Sequence, residues 1–177
     1  MIKVIDNIVT KKEQEKIKSI LLGRELPWYY LDDVSLKDNP NEQKPGLSHY
    51  FIHNTNPSDH FKYIQNLIIN TFKKIKLKEV AIIQSRGFLQ LPLSNNLLKG
   101  KYVDSPHIDM LEKHLVFLYY VNDSDGDTVI YKDKNLKIKK QVKPKQGRML
   151  VFNGKYWHSG SQPTTGVRCV INTNIRI

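Results

Sequence analysis

The chain holds one cysteine in 177 residues, Cys169, which excludes an intramolecular disulfide and any zinc site built on cysteine pairs. Cys169 lies inside an apolar, strand-like run and reads as packing, not as a nucleophile. No apolar stretch approaches the roughly 20 residues that a membrane-spanning helix needs. The opening Met1-Ile2-Lys3-Val4-Ile5-Asp6 puts polar and acidic residues where a secretory leader needs an apolar centre. The expected location is therefore the cytoplasm.

Negative charge is also scarce, with 17 acidic residues against 28 Lys and Arg, a formal charge of +11. Such an excess suggests an anionic partner, and nucleic acid is the usual one. Seven of the lysines, however, fall between Lys132 and Lys145. There the alternation Leu136-Lys137-Ile138-Lys139 reads more simply as the wet edge of a hairpin guarded against strand pairing.

What is present suffices for one core. Thr10-Lys11-Lys12-Glu13 forms a capping box, and Ile17, Ile20 and Leu21 follow at helical spacing until Gly23, so residues 10–22 are expected to form an amphipathic helix. Phe61, Ile64, Ile68 and Phe72 recur along one stripe and predict a second helix from Ser58 to about Lys74. Residues 26–56, rich in Pro, Asp, Asn and Gly, read as loops and short strands, with His49 and His53 as ordinary hydrogen-bonded or surface histidines. From Glu79 onward the chain turns β-rich. Val80–Ile83, Phe88-Leu89, 115–121, 128–131, 136–142, 148–152 and 167–177 are strand-like runs separated by turn residues. The pattern predicts a single domain, 1–177, mainly β: a double-stranded β-helix, or jelly roll, over 79–177, backed by helices within 1–78.

One constellation carries chemistry. In Pro106-His107-Ile108-Asp109, residues two apart on a strand share a face, so an imidazole and a carboxylate can reach one metal ion. Tyr156-Trp157-His158 offers a second histidine at the end of a later strand. Two histidines and a carboxylate on one face of an octahedron leave open positions, the arrangement of non-haem Fe(II) oxygenases. Ten residues beyond His158, Arg168 opens a run in which Arg168, Asn172, Asn174 and Arg176 alternate with Cys169, Ile171, Ile175 and Ile177. Its polar face would line the barrel and its apolar face would pack on helices. An arginine there needs an anion, either an internal acid or a dicarboxylate ligand; its position after a candidate iron ligand favours the ligand. His114, an odd number of residues from His107, reads as a solvent or supporting residue.

These residues, taken in order with Tyr119-Tyr120-Val121-Asn122, Gly126-Asp127-Thr128 and Pro144–Phe152, resemble the 2-oxoglutarate/Fe(II) oxygenase superfamily. The match is to its prolyl 4-hydroxylase-like branch and the short phage and bacterial members. The opening Val4-Ile5-Asp6-Asn7 with its helix is similar to that branch as well. The resemblance implies that His107, Asp109 and His158 bind Fe(II) and that Arg168 pairs with the distal carboxylate of 2-oxoglutarate, to which Tyr120 donates a hydrogen bond. It also implies use of O2, release of succinate, hydroxylation of a C–H bond, and ascorbate as an admissible accessory reductant. The substrate class that follows is a peptidyl, prolyl-type residue.

The chain departs from the branch in two places. The strand before His-x-Asp, Gln84–Leu91, has no tyrosine, leaving Arg86 or Gln90 to take that place, and the often aromatic position six beyond Arg168 is Asn174. Two alternatives stay open. One is a nucleic-acid-modifying oxygenase, which has the charge but lacks the Arg-x-Asn-x-x-x-Arg arrangement, Arg168 and Arg176 being eight apart. The other is a non-enzymatic jelly-roll binding module.

Overall fold

Thr10 opens the first helix as its spacing to Glu13 predicts: Glu13 N–H donates to Thr10 Oγ1 at 3.3 Å and Thr10 N–H donates to Glu13 Oε2 at 3.0 Å. The computed structural model describes residues 1–34, 44–78, 80–98, 100, 102–133 and 135–177, and the side chain of residue 95 is not described. Part of the loop-rich stretch 26–56, the residue Glu79 that opens the β-rich half, and Lys134 of the basic stretch lie outside the described residues. In chain order the elements are β1 (Ile2–Ile5), α1 (Lys11–Leu21), β2 (Tyr29–Leu31), β3 (Gly46–His53), β4 (Asn56–Pro57), a 3-10 turn (Asp59–Tyr63) and α2 (Gln65–Ile75). There follow β5 (Ile82–Gln90), α3 (Asn95–Leu98), β6 (His114–Tyr120), β7 (Thr128–Tyr131), β8 (Ile138–Val142), β9 (Met149–Asn153), β10 (His158–Gly160) and β11 (Arg168–Arg176).

Among the described residues every strand pairing is antiparallel. One sheet runs β1-β9-β6-β11-β5-β3-β2 with β4 added on β3, and a three-stranded sheet runs β10-β7-β8. This is the jelly roll that the strand runs predict. The residues before Glu79 contribute β1, β2, β3 and β4 to the large sheet as well as both long helices.

Period-two alternation sorts the side chains of the large sheet onto two cores. On the outer face Leu115, Phe117, Tyr119, Val151, Cys169, Ile171 and Ile175 pack with Ile17, Ile20 and Leu21 of α1 and Leu67, Ile68 and Phe72 of α2. On the inner face Val116, Leu118, Tyr120, Leu150, Phe152 and Val170 pack with Ile130 and Val142 of the small sheet. Because β6 is buried on both faces, it reads as a continuous apolar run. Burial pushes the Cys169 thiol up from its ordinary pKa, which suits packing and not nucleophilic work.

Three local expectations change. The second helix does not start at Ser58, whose hydroxyl donates to Phe51 O at 3.2 Å and caps nothing, so a 3-10 turn precedes α2. Val80–Ile83 and Phe88-Leu89 are not two strands. From Ile82 onward they form one, β5, that runs through Gly87, where an added Cβ would stand 3.2 Å from the Trp28 ring and 3.3 Å from Phe51. The 26–56 stretch holds an eight-residue strand, β3, whose Phe51 is wholly buried. The basic stretch behaves as expected: β8 is the edge of the small sheet and four of its five residues are exposed, Lys139 and Lys140 among them. Among the described residues no helix is long and apolar enough to cross a membrane.

The first strand is tied to the turn before β9. Arg148 donates to both Asp6 carboxylate oxygens at 2.7 and 3.1 Å and Lys145 adds a third bond at 3.2 Å. The Arg148 bond, aided by Lys145 and opposed by slight burial, lowers the Asp6 pKa from its ordinary 3.8 to about 2. A depressed carboxylate stabilises the fold above its unfolded pKa and loses that contribution as pH falls through the folded value. Asp6→Asn is therefore expected to lower the urea midpoint at neutral pH, with wild type and variant converging between pH 3.8 and about 2; a constant gap across that window would refute this role.

Candidate metal centre and cosubstrate pocket

His107, Asp109 and His158 offer ligand atoms that all lie within 4.8 Å of one another. His158 opens β10, and His107 meets it across an isolated bridge, with mutual N–H to O bonds of 2.9 Å in both directions. His107-Ile108-Asp109 is thus a turn hung on β10 and not part of a strand, as its spacing suggested. The bridge brings the two imidazoles together, with ring centroids 4.6 Å apart, and the bend at Asp109 returns its carboxylate to them.

The hydrogen bonds fix the tautomers. His107 Nδ1 lies 3.0 Å from Ser105 O and His158 Nδ1 3.2 Å from Tyr156 O. A carbonyl only accepts, so each Nδ1 carries the proton and donates it. That leaves both Nε2 atoms aimed at Asp109 Oδ1, at 3.5 Å from His107 and 3.2 Å from His158. Two lone pairs and a carboxylate oxygen converging on one point require a cation there, a second proton on each ring or a metal ion. The donor set fits a metal with open positions. Burial alone would raise the Asp109 pKa, but the bonds and charge from His107 and His158 hold it well below the usual carboxylate range. Burial likewise opposes the charged form of His107, yet Asp109 and the Ser105 carbonyl raise its pKa overall. Asn172 of β11 donates from Nδ2 to Asp109 Oδ2 at 3.1 Å and orients the carboxylate.

A cavity of about 440 Å³ connects this cluster to Arg168, with Arg86, Gln90, Thr128 and Asn172 on its walls. Arg168 opens β11 and faces inward, as the alternation predicts; it is 5% exposed. Its Nε donates to Gly126 O at 2.8 Å, one Nη to Gln90 Oε1 at 2.6 Å and the other to Thr128 Oγ1 at 2.9 Å. Every one of these partners is neutral. Among the described residues no carboxylate lies within 4.0 Å of the guanidinium. Burial lowers its pKa from the ordinary value, the mark of a cation lacking its counter-charge.

Tyr120, at the same end, is fully buried; its hydroxyl lies near Thr128 and Arg168 but makes no hydrogen bond of acceptable geometry. Burial pushes its pKa up to about 12, only partly offset by Arg168, so it is a phenol with an O–H to give. A buried unpaired cation beside a buried unused donor is a cradle for a carboxylate.

Nearby acid does not fill that cradle because it is spent elsewhere. Asp104 is buried and bonded to Lys44 Nζ at 3.1 Å through Oδ1, which also accepts from Gln162 at 3.1 Å; its Oδ2 accepts from Gln90 Nε2 at 3.1 Å. By holding the Gln90 amide N–H, Asp104 turns the amide oxygen to Arg168. Lys44 and Asp104 carried no signal in the sequence, whereas Asn172 had its even spacing from Arg168, Gln90 was one of the two residues offered for the missing tyrosine's place, and Thr128 lay in the Gly126-Asp127-Thr128 run.

The remaining candidates fall outside the centre. His114 is neither solvent-facing nor in contact with the metal cluster: it is buried, its Nδ1 bonded to Glu112 O at 2.7 Å and its ring packed over Gly154. His49 is buried with Nδ1 2.8 Å from Pro27 O, and His53 is exposed. Tyr119 packs against the helices. Asn174 is fully buried and, among the described residues, neither of its amide atoms finds a partner.

A family model described as the 2OG-Fe(II) oxygenase superfamily matches residues 95–176. No curated protein matches in sequence. Among solved structures, the chain is similar to a Burkholderia pseudomallei oxidoreductase of the 2OG-Fe(II) oxygenase family. That similarity has 12% identity and a TM-score of 0.75, over 99% of this chain and 85% of that one. A Trichoplax adhaerens prolyl hydroxylase, in complex with a hypoxia inducible factor peptide fragment, is similar at 16% identity and a TM-score of 0.68, over 99% and 83%. The viral collagen prolyl hydroxylase of Paramecium Bursaria Chlorella virus-1, in its 2OG complex, is similar at 15% and 0.62, over 99% and 94%. At such identities these structures establish the fold.

Lys44 and Asp104 side chains are each 8% exposed, so breaking the pair strands a buried charge. Lys44→Met is expected to cost about 3–5 kcal/mol in urea unfolding. Asp104→Asn added to it should recover part of that loss. Additive losses in the double variant would mean that the two side chains do not act as a pair.

Proposed function

We propose that this chain, a 2-oxoglutarate- and Fe(II)-dependent oxygenase over the matched residues 95–176, hydroxylates a peptidyl residue of the prolyl type. In this reading His107, Asp109 and His158 hold the iron, and Arg168 with Tyr120 holds the distal carboxylate of 2-oxoglutarate. The observation that carries it is the pairing, within one cavity, of a cation-demanding ligand set and a buried guanidinium with no carboxylate within 4.0 Å among the described residues. A metal site alone would suit a binding module; a dicarboxylate site beside it calls for the cosubstrate. Support for a peptide substrate comes from the similar folds of prolyl hydroxylases, one of them solved with a peptide fragment.

Iron and 2-oxoglutarate, when bound, supply the oxidative decarboxylation to succinate and CO2 that is coupled to inserting one atom of O2 into a substrate C–H bond. The chain's own residues set the geometry for it. Backbone carbonyls at Ser105 and Tyr156 lock the imidazoles with Nε2 inward. Asn172 keeps Asp109 Oδ1 turned to the same point while binding Oδ2. Arg168 and Tyr120 fix the far end of the cosubstrate by charge-assisted and neutral hydrogen bonds. Gln90 and Thr128 keep the guanidinium in place between turnovers. Val116, Leu118, Phe152 and Val170 form the apolar part of the cavity wall.

Calorimetric titration of 2-oxoglutarate with Mn(II) present tests the dicarboxylate end. Arg168→Ala should weaken binding roughly ten- to a hundredfold, the scale of a hydrogen bond to a charged group, while Mn(II) affinity stays near that of wild type. Tyr120→Phe should weaken it less, since one neutral donor is lost and the ring still packs. No 2-oxoglutarate binding by wild type, or equal binding by Arg168→Ala, would favour the binding module instead.

A further inference from the structure

Resting on the oxygenase reading just given, we propose that Arg86 forms a second anion subsite, which takes a carboxylate on the substrate close to the C–H bond to be oxidised. The substrate is then an acidic segment, with Asp or Glu beside the modified residue.

Position is the first argument. On the inner face, Arg168 pairs with Gln90 and Asn172 pairs with Arg86 across β11 and β5. Four residues of strand separate the two arginines' levels, roughly 13 Å. Arg168 thus marks one end of the cavity. Arg86 marks the other, beside the Asn172 that holds Asp109. A five-carbon dicarboxylate reaching from Arg168 to the metal ligands leaves Arg86 for something else.

Preorganisation is the second. Arg86 Nη1 donates to Tyr50 Oη at 2.6 Å, and its Cζ lies 4.2 Å from the Phe88 ring centroid and 5.0 Å from that of Tyr50. Two aromatic rings and a hydroxyl hold the guanidinium still, so little side-chain entropy is left to lose when it binds. No described carboxylate lies within 4.0 Å of it, and its remaining N–H groups are uncommitted among the described residues.

Charge balance is the third. In the loaded cavity Lys44 and Asp104 cancel. Fe(II), Arg168 and Arg86 then bring four positive charges, against three negative ones from Asp109 and the 2-oxoglutarate dianion. One negative charge is missing, and the partial burial of these groups penalises the imbalance. A substrate carboxylate supplies it, and the chain's charge of +11 draws acidic partners toward the mouth.

Fluorescence anisotropy tests this on the full chain with Mn(II) and 2-oxoglutarate. The probes are labelled proline-centred peptides that differ only by Glu or Gln at each of the two positions on either side of the proline. The best Glu peptide is expected to bind about tenfold or more tighter than its Gln counterpart. Arg86→Gln should abolish that preference and Arg86→Lys keep part of it. By calorimetry both variants should bind 2-oxoglutarate within about twofold of wild type, since neither touches Arg168. Equal binding of Glu and Gln peptides, or a preference that survives in Arg86→Gln, overturns the subsite while leaving the peptide reading intact. Loss of 2-oxoglutarate binding in Arg86→Gln overturns it too, because Arg86 would then serve the cosubstrate. Free proline against prolinamide separates the two readings. If no peptide binds but free proline binds more tightly than prolinamide by calorimetry, in an Arg86-dependent way, the subsite stands and the peptide substrate falls. If nothing in either set binds, both fall.

Discussion

A guanidinium held inside a β-sandwich with only neutral partners is the constraint on which the rest of the structure turns. Arg168 cannot leave its place without leaving β11, and it cannot lose its charge. The fold accommodates it with three hydrogen bonds, to Gly126 O, Gln90 and Thr128. Those bonds use three of its five N–H donors and leave its charge uncompensated. The nearest acid, Asp104, is committed to Lys44, Gln90 and Gln162. The surroundings therefore have the character of a binding site held ready, stable enough to persist and incomplete without an anion.

The metal cluster shows the same design with the opposite sign. Each imidazole spends its proton on a backbone carbonyl, and the lone pairs that remain face a carboxylate. Across about 440 Å³ one end of the cavity lacks a cation and the other lacks an anion. A divalent metal with a chelating dicarboxylate answers both needs at once, and the burial of Arg168, Asp109 and His158 raises the value of each contact. Catalytic power in such a site comes from charges fixed in advance, not from residues that must move.

Much of this was legible from the residues. Strand alternation over Arg168 to Ile177 sorted Cys169, Ile171 and Ile175 to the helix side and Arg168 to the cavity, because one core face leaves no freedom of register. The capping box placed α1 to within a residue at each end. Spacing brought His107, Asp109 and His158 together correctly, but for an incomplete reason. The motif sits in a turn, and what unites it is a pairing between residues 51 positions apart, which no local pattern encodes. Lys44 and Asp104 were hidden for the same cause: an ion pair across 60 residues is a product of topology. Gly87 misled the strand reading because glycine suggests a break, whereas here its missing side chain admits the Trp28 ring.

The most direct measurement is a crystal structure of the chain grown with Mn(II) and 2-oxoglutarate, with anomalous scattering used to locate the metal. The expected result is a metal peak roughly 2.0–2.2 Å from His107 Nε2, Asp109 Oδ1 and His158 Nε2. The distal carboxylate of 2-oxoglutarate should accept from Arg168 and the Tyr120 hydroxyl. A metal bound elsewhere, or an Arg168 still held only by Gly126 O, Gln90 and Thr128 while the dicarboxylate lies apart from it, would contradict the pairing of opposite unmet charges in this cavity.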